Sequence, residues 1–275
     1  MTPLADATRR LAQVSDTPRL DAELLLACAL GIERDRLLLD PPAAVPPTFE
    51  QLLARRLAGE PIAYLVGRRA FWTIELAVTP DVLIPRPDSE TLLDAAVAHF
   101  HGSEGPRRIL DLGTGSGALL LAALDKWRQA TGLGIDRSAA ALAVAAANAQ
   151  MIAPGRADLR LGNWADGIAE HFDLILCNPP YVATAAALGP GVAEYEPHDA
   201  LFAGPDGLDA LRALAPQVPR LLEPGGLAAI EIGYDQADRA AALFNAGGLS
   251  VSLARDLAGR PRALLLTPAK IVNIY

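Results

Sequence analysis

Residues 109–117 read Ile109-Leu110-Asp111-Leu112-Gly113-Thr114-Gly115-Ser116-Gly117. An apolar run meets an acid, enters a loop with glycine at alternate positions, and continues into the apolar stretch Ala118–Leu121. That is a strand, a tight turn and the start of a helix. Glycine lets the backbone turn sharply and lets a ligand approach it. The loop alone leaves open a nucleotide site, a dinucleotide site or a plain turn. Its spacing is G-x-G-x-G, and the dinucleotide fingerprint G-x-G-x-x-G is absent. Asp111 at the strand end would repel a pyrophosphate. A sulfonium amino acid, with its ammonium group, would tolerate it.

Outward from this stretch the rhythm of strand, loop and helix repeats. Strands are expected at 108–111, 132–136, 158–161, 173–178, 226–232, 249–254 and 262–267. Helices are expected at 88–99, 117–127, 138–150, 208–222 and 235–246. Strands alternating with helices imply an α/β fold with a mostly parallel sheet covered on both faces. Upstream, residues 1–66 carry short helical patterns, with Thr17-Pro18 as a start, Gly31 as a stop and Pro41-Pro42 as a break. Between them, 70–85 looks extended: Trp72, Ile74 and Leu76 alternate with polar residues, and Val82-Leu83-Ile84 forms a second run. The expected organisation is a helical domain over 1–69, a β-hairpin linker over 70–85 and a sheet-bearing domain over 86–275.

Composition narrows the function classes. The chain has 275 residues and a formal net charge of −8. Residues 1–72 hold nine Arg and nine Asp or Glu, so the remainder carries the whole −8. Bulk charge of that sign does not attract phosphate backbones, which argues against a nucleic-acid substrate. No long apolar run suggests a membrane span, and MTPLADATRR lacks the form of a signal peptide, so a cytoplasmic location is expected. Cys28 and Cys177 form no disulfide framework, and the four histidines show no metal-ligand spacing. No metal is expected, and a monomer is the expected state.

Two further segments sit at strand ends. Asp136 closes the next strand, nineteen residues after Gly117. An acid there can accept hydrogen bonds from both ribose hydroxyls of an adenosine; it can also simply cap the helix that follows. Asp173–Cys177 is an apolar strand that runs into Asn178-Pro179-Pro180-Tyr181. Two prolines supply no ladder donors, so pairing stops at the same carboxyl edge. The segment is either a stiff turn or a holder for a planar nitrogen. In the second case, the Asn178 side-chain oxygen and a proline carbonyl accept the two N–H groups of an amide or amine. Tyr181 then offers a ring to stack on the plane. Alignment of this kind is worth on the order of 7–11 kcal/mol, and fixed acceptors add to it.

These residues resemble the class I S-adenosylmethionine methyltransferases, and Asn178-Pro179-Pro180-Tyr181 marks the amino-methyltransferase branch. Gly59-Glu60-Pro61-Ile62-Ala63-Tyr64-Leu65-Val66-Gly67, Ala70-Phe71-Trp72 and Leu83-Ile84-Pro85-Arg86-Pro87-Asp88-Ser89-Glu90 resemble the linker region of the HemK/PrmC family. Glu196-Pro197 with Ala200-Leu201 is similar to that family's segment after the catalytic loop. The resemblance implies a Rossmann-like fold and transfer of a methyl group to the glutamine amide of the Gly-Gly-Gln motif in class 1 peptide chain release factors. The N-terminal helices would dock that partner. It implies S-adenosylmethionine as cofactor and S-adenosylhomocysteine as product, held by Asp111, Gly113, Thr114, Gly115, Ser116, Gly117, Asp136, Asn163, Trp164 and Asn178. The substrate glutamine would lie on Asn178, Pro179, Pro180 and Tyr181. The family usually has an acid where this chain has Asn163. The alternative reading is an amino-methyltransferase acting on a nucleic-acid base or on a ribosomal-protein glutamine. Arg86 and Glu90, four apart, are either an exposed ion pair or part of the pocket wall. Glu194 and Glu196 are read as loop residues.

Overall fold

The computed structural model describes residues 2–40 and 44–269; the break at Pro41-Pro42 and the tail 271–275 lie outside them. Within the described chain there are two compact units. The first gathers residues up to 68 with 78–80 and 188–196. Its helices are α1 (Pro3–Leu11), α2 (Pro18–Leu30), α3 (Arg34–Leu39), α4 (Pro47–Leu57), α5 (Ile62–Val66) and α9 (Val192–Tyr195). Prolines open α1, α2 and α4, where a missing N–H leaves no helical bond unmade. Gly31 ends α2 in the left-handed region at φ 65°. Leu11, Leu25, Phe49 and Leu53 form a small apolar core. Two acids of α2 are buried beside it. Asp21 meets Arg56 at 2.8 Å, and Glu23 meets Arg19 at 2.8 Å and Arg34 at 2.6 Å. Residues 188–196 join these helices because the Tyr195 hydroxyl donates to the Ala58 carbonyl.

The second unit gathers 69–77, 81–187 and 197–275. It holds the hairpin β1 (Arg68–Phe71) and β2 (Ile74–Ala77), then α6 (Glu90–His99), β3 (Arg108–Leu112), α7 (Ala118–Lys126), β4 (Thr131–Asp136), α8 (Ala139–Ile152), β5 (Ala157–Leu161) and β6 (Phe172–Cys177). Beyond these lie α10 (Asp209–Leu214), β7 (Leu222–Glu231), α11 (Ala237–Asn245), β8 (Leu249–Arg255) and β9 (Pro261–Pro268). The seven-stranded sheet runs β5-β4-β3-β6-β7-β9-β8. Its first five strands are parallel, and β9 is antiparallel to both neighbours. The expected mostly parallel, doubly covered sheet is therefore present. Side chains alternate across it. Leu110, Leu112, Ile175 and Ile230 face a core with α10 and α11. Ile109, Leu174, Leu176 and Ala229 face another with α6 and α7.

Two expectations need correction. Val82-Leu83-Ile84 does not pair as a strand; Pro80 and Pro85 bracket it, and a segment so bounded lacks ladder donors at both ends. The expected helix 208–222 is α10 followed by a 3₁₀ turn at Val218–Arg220. Pro216 and Pro219 cannot sit inside a continuous helix.

Candidate active site

The connection order reverses direction around β3. Its successor β4 lies on one side, and β6 returns to the other. Loops at such a point diverge and leave a crevice beyond the strands' carboxyl ends. A cavity of about 420 Å³ occupies it here, lined among others by Asp111, Gly113–Ser116, Asp136, Asn163, Trp164, Asn178 and Pro180. Gly117 is not on that lining. Its φ is 84°, and an added Cβ would sit 2.9 Å from Leu121 Cδ1, so its part is to start α7 against its own second turn. Pro179 is buried and Tyr181 half-buried, and neither lines the cavity.

The glycine loop is fastened at three places. The Gly113 and Thr114 N–H groups both donate to the Ile135 carbonyl. Gly115 N–H donates to Asp136 Oδ2 at 2.8 Å, and Ser138 N–H donates to Oδ1 at 2.9 Å. Asp136 thus ties its own loop to the glycine loop, and each oxygen retains an acceptor site. The Asn148 amide of α8 donates to the Ser116 carbonyl and to the Ala77 carbonyl, and its oxygen accepts from Ala77 N–H. That residue had no sequence signal beyond being polar in an Ala-rich helix.

Asp111 is buried. Thr114 Oγ1 donates to its Oδ2 at 2.6 Å, while Oδ1 is buried without a hydrogen-bond partner among the described residues. Burial pushes this carboxyl up to about 7, against the Thr114 hydrogen bond and one from the Leu120 backbone N–H at the start of α7. Asp111 lines the cavity, and a carboxyl there fits the ammonium of a ligand. Trp164 holds φ 50°, a conformation rarely adopted by bulky residues. An added Cβ at Gly113 would lie 3.5 Å from its Cζ3, so the indole sits against the glycine loop as a flat apolar wall. Asn163 is exposed and donates to Asp166 at 3.3 Å.

The segment after β6 is braced from behind. Val182 and Phe202 form a parallel bridge, and Gln236 Nε2 donates to the Tyr181 carbonyl at 3.0 Å. Gly207, at φ 73°, allows this approach, because an added Cβ would lie 2.3 Å from the Tyr181 carbonyl oxygen. Asn178 Nδ2 donates to Ser89 Oγ at 3.0 Å, and Ser89 donates to Glu231 Oε2 at 2.5 Å. The Tyr181 hydroxyl lies beside the same carboxyl, and burial near that charge raises its pKa. Glu90 accepts the Trp72 N–H at 3.0 Å. Sequence reasoning missed Glu231, whose signal was a single acid inside the apolar run Leu227–Ile232. It missed the role of Ser89 as well. Arg137 and Asp199, also missed, form an ion pair, and both line the cavity. Among the described residues no cluster of His, Cys, Asp or Glu could hold a metal, and no helix is long and apolar enough to cross a membrane.

Comparison with known proteins follows the same division of the chain. Residues 3–67 match the PrmC N-terminal domain, and 89–193 match the methyltransferase small domain. A release factor glutamine methyltransferase of Rhodospirillum rubrum is 45% identical over 258 residues, covering 91% of this chain and 79% of that protein. Another, from Caulobacter vibrioides, is 43% identical, covering 91% and 89%. A third, from Cereibacter sphaeroides, is 45% identical, covering 94% and 96%. Among solved structures, a methyltransferase of Pyrococcus furiosus superposes with a TM-score of 0.54 at 19% identity, over 79% of this chain and 97% of that one. A 16S rRNA methyltransferase of T. thermophilus, solved with AdoMet and guanosine, gives 0.51 at 21%, over 73% and 49%. These two share the fold. The sequence relatives go further: the chain belongs to the release factor glutamine methyltransferase family.

Proposed function

We propose that this protein transfers a methyl group from S-adenosylmethionine to the side-chain amide nitrogen of the glutamine in the Gly-Gly-Gln motif of a class 1 release factor. The observation that carries the reading is Asn178 on the wall of the β3–β6 cavity, its Nδ2 engaged by Ser89. Its Oδ1 is thereby left to accept an N–H from a substrate. An amide nitrogen is a weak nucleophile that still presents two donors. An acceptor held in place orients it, and most of the rate enhancement would come from such alignment. The bound cofactor supplies an electrophilic methyl on sulfur. Asp111 would take its ammonium, the remaining acceptor sites of Asp136 its ribose hydroxyls, and Trp164 the adenine face. Pro180 closes the cavity beside Asn178, while Pro179 and Tyr181 support it from behind. No general base is required, because the proton leaves after transfer to a cationic nitrogen.

The test is transfer of labelled methyl from S-adenosylmethionine to a recombinant release factor, with the modified residue located by mass spectrometry. Label on the motif glutamine is expected. Cofactor binding without label on that glutamine would refute the substrate. Equal rates for the wild type and Asn178→Ala would refute the mechanism.

A further inference from the structure

We infer that Ser89 and Glu231 are positioning residues that set which way round the Asn178 amide faces, so that its oxygen, and not its NH₂, meets the substrate. The inference rests on the glutamine-methylation reading above. It follows from donors and acceptors. Glu231 Oε2 accepts the Ser89 hydroxyl at 2.5 Å, so the Ser89 hydroxyl hydrogen is committed. Its oxygen can then only accept, and Asn178 Nδ2 supplies the donor at 3.0 Å. The amide's other end is the acceptor. The chain crosses the sequence over 142 and 89 residues, joining β7, the segment before α6 and the loop after β6. All of it except the Asn178 end is sealed from solvent: Ser89 is 3% exposed and Glu231 0%.

The chain is directional and can be reversed by one proton. A protonated Glu231 would donate to Ser89 Oγ. The Ser89 hydroxyl would then be free to donate to Asn178, with the amide turned over and its NH₂ facing the substrate's own N–H groups. Glu231 is buried with Oε1 lacking a well-formed hydrogen bond among the described residues, and burial pushes its carboxyl up to about 7 despite the Ser89 bond, the charge of Arg262 and a hydrogen bond from the Tyr181 hydroxyl. The other groups around it are Asp88 before α6, Tyr181 after β6 and Cys177 on β6. Arg262 itself is shared with Asp88 and Asp256, and Glu90 is engaged by Trp72. Turnover at saturating cofactor should therefore rise with pH through the range near 7.

The experiment measures kcat, KM for the release factor and Kd for S-adenosylmethionine from about pH 5.5 to about pH 9, a range that brackets the carboxyl, for wild type, Ser89→Ala, Ser89→Thr and Glu231→Gln. Ser89→Ala should lower kcat on the order of 10- to 100-fold, as loss of alignment does, with cofactor Kd unchanged. Ser89→Thr, which keeps the hydroxyl, should restore it. Glu231→Gln, which has no proton to gain, should remove the rise in kcat near pH 7. Ser89→Ala with wild-type kcat, a loss that Ser89→Thr does not restore, or an unchanged pH profile in Glu231→Gln overturns the inference and leaves the glutamine reading intact. A wild-type protein that binds cofactor yet leaves the glutamine unmethylated overturns the reading itself.

Discussion

Both units bury carboxylates, and Asp21 and Glu23 in one are treated in the opposite way to Asp111 and Glu231 in the other. In the helical unit Asp21 and Glu23 are 3% and 1% exposed, and in the sheet unit Asp111 and Glu231 are 1% and 0%. Burial is equal, so exposure does not separate the pairs. Partnership does. Asp21 and Glu23 both meet arginine. For Glu23, burial would raise the pKa, but the hydrogen bonds from Arg19 and Arg34 outweigh it and hold the carboxyl below its usual range. Asp111 and Glu231 each keep one oxygen without a well-formed bond among the described residues, and both carboxyls are pushed up to about 7. A paired buried acid fastens helices. A half-paired one at a cavity is a place held for something else.

The sharpest way to break this contrast is to remove the most enclosed ion pair of α2. Asp21→Ala would take from Arg56, whose side chain is 15% exposed, its carboxylate partner and leave the Glu60 carbonyl as acceptor. Removing one partner of a buried pair costs about 3 kcal/mol or more. Urea denaturation followed on the helical unit should show that loss, while calorimetry shows unchanged cofactor affinity. If Asp21→Ala weakens cofactor binding instead, the assignment of the two pairs to different tasks is wrong.

The converse change is Asp111→Asn. Above pH 7 it should weaken S-adenosylmethionine by about 1–3 kcal/mol, the worth of a hydrogen bond to a charged group, without loss of stability. The sign with pH follows from the raised carboxyl. The cofactor's ammonium favours the ionised form, and free Asp111 is protonated below about 7. Wild-type affinity should therefore fall as pH drops through 7, and the variant's should not. Titration calorimetry at several pH values checks both, and parallel curves would remove Asp111 from the ammonium site.

What the sequence made legible tracks the range of the interactions involved. Ile109–Gly117, Asp136 and Asn178–Tyr181 were readable because a strand end, its turn and its first helical residues are neighbours in the chain. The sheet's parallel character was readable from the alternation of elements. Ser89 and Glu231 were not: they are 142 residues apart, and nothing local in Ala228–Ile232 says that the acid inside it will find a hydroxyl. The same holds for Asn148 and Ala77, 71 apart. The overextended helix at 208–222 is a different kind of error. Its periodicity was apolar and helical, and Pro216 outweighed it. The segment 82–84 erred likewise, with β-branched residues but prolines at both ends.

A smaller effect sharpens the contrast through stability alone. A buried acid with a raised pKa binds its proton more tightly when folded, so folding is favoured while the acid is protonated. Stability from Asp111 and Glu231 should thus decline as pH rises from about 4 through about 7, where the unfolded forms have already ionised. Glu231→Gln should flatten part of that decline and stabilise the cofactor-free protein at pH 8 by about 1 kcal/mol, because the neutral amide avoids the cost of ionising a buried carboxyl whose pKa is raised. Thermal melts across that range decide it; a variant that is less stable than wild type at pH 8 would mean that Arg262 compensates Glu231 fully.

The smallest effect has the opposite sign and comes from Glu23. Its folded pKa lies below its unfolded one, so its contribution is present above the unfolded value, near 4.5, and is lost as pH falls through the lower folded value. Arg19 is 77% exposed and Arg34 39%, so both can regain water when the acid is neutralised, and screening discounts the pair. Glu23→Gln should accordingly destabilise by only about 0.5–1 kcal/mol at pH 7. The difference from wild type should vanish in strong acid, where both side chains are neutral. Added salt should shrink it at pH 7, whereas the Asp21→Ala loss, set by an enclosed charge, should change little. Equal salt sensitivity in the two variants would show that α2 presents both acids to solvent alike, and that burial of these side chains does not distinguish them energetically.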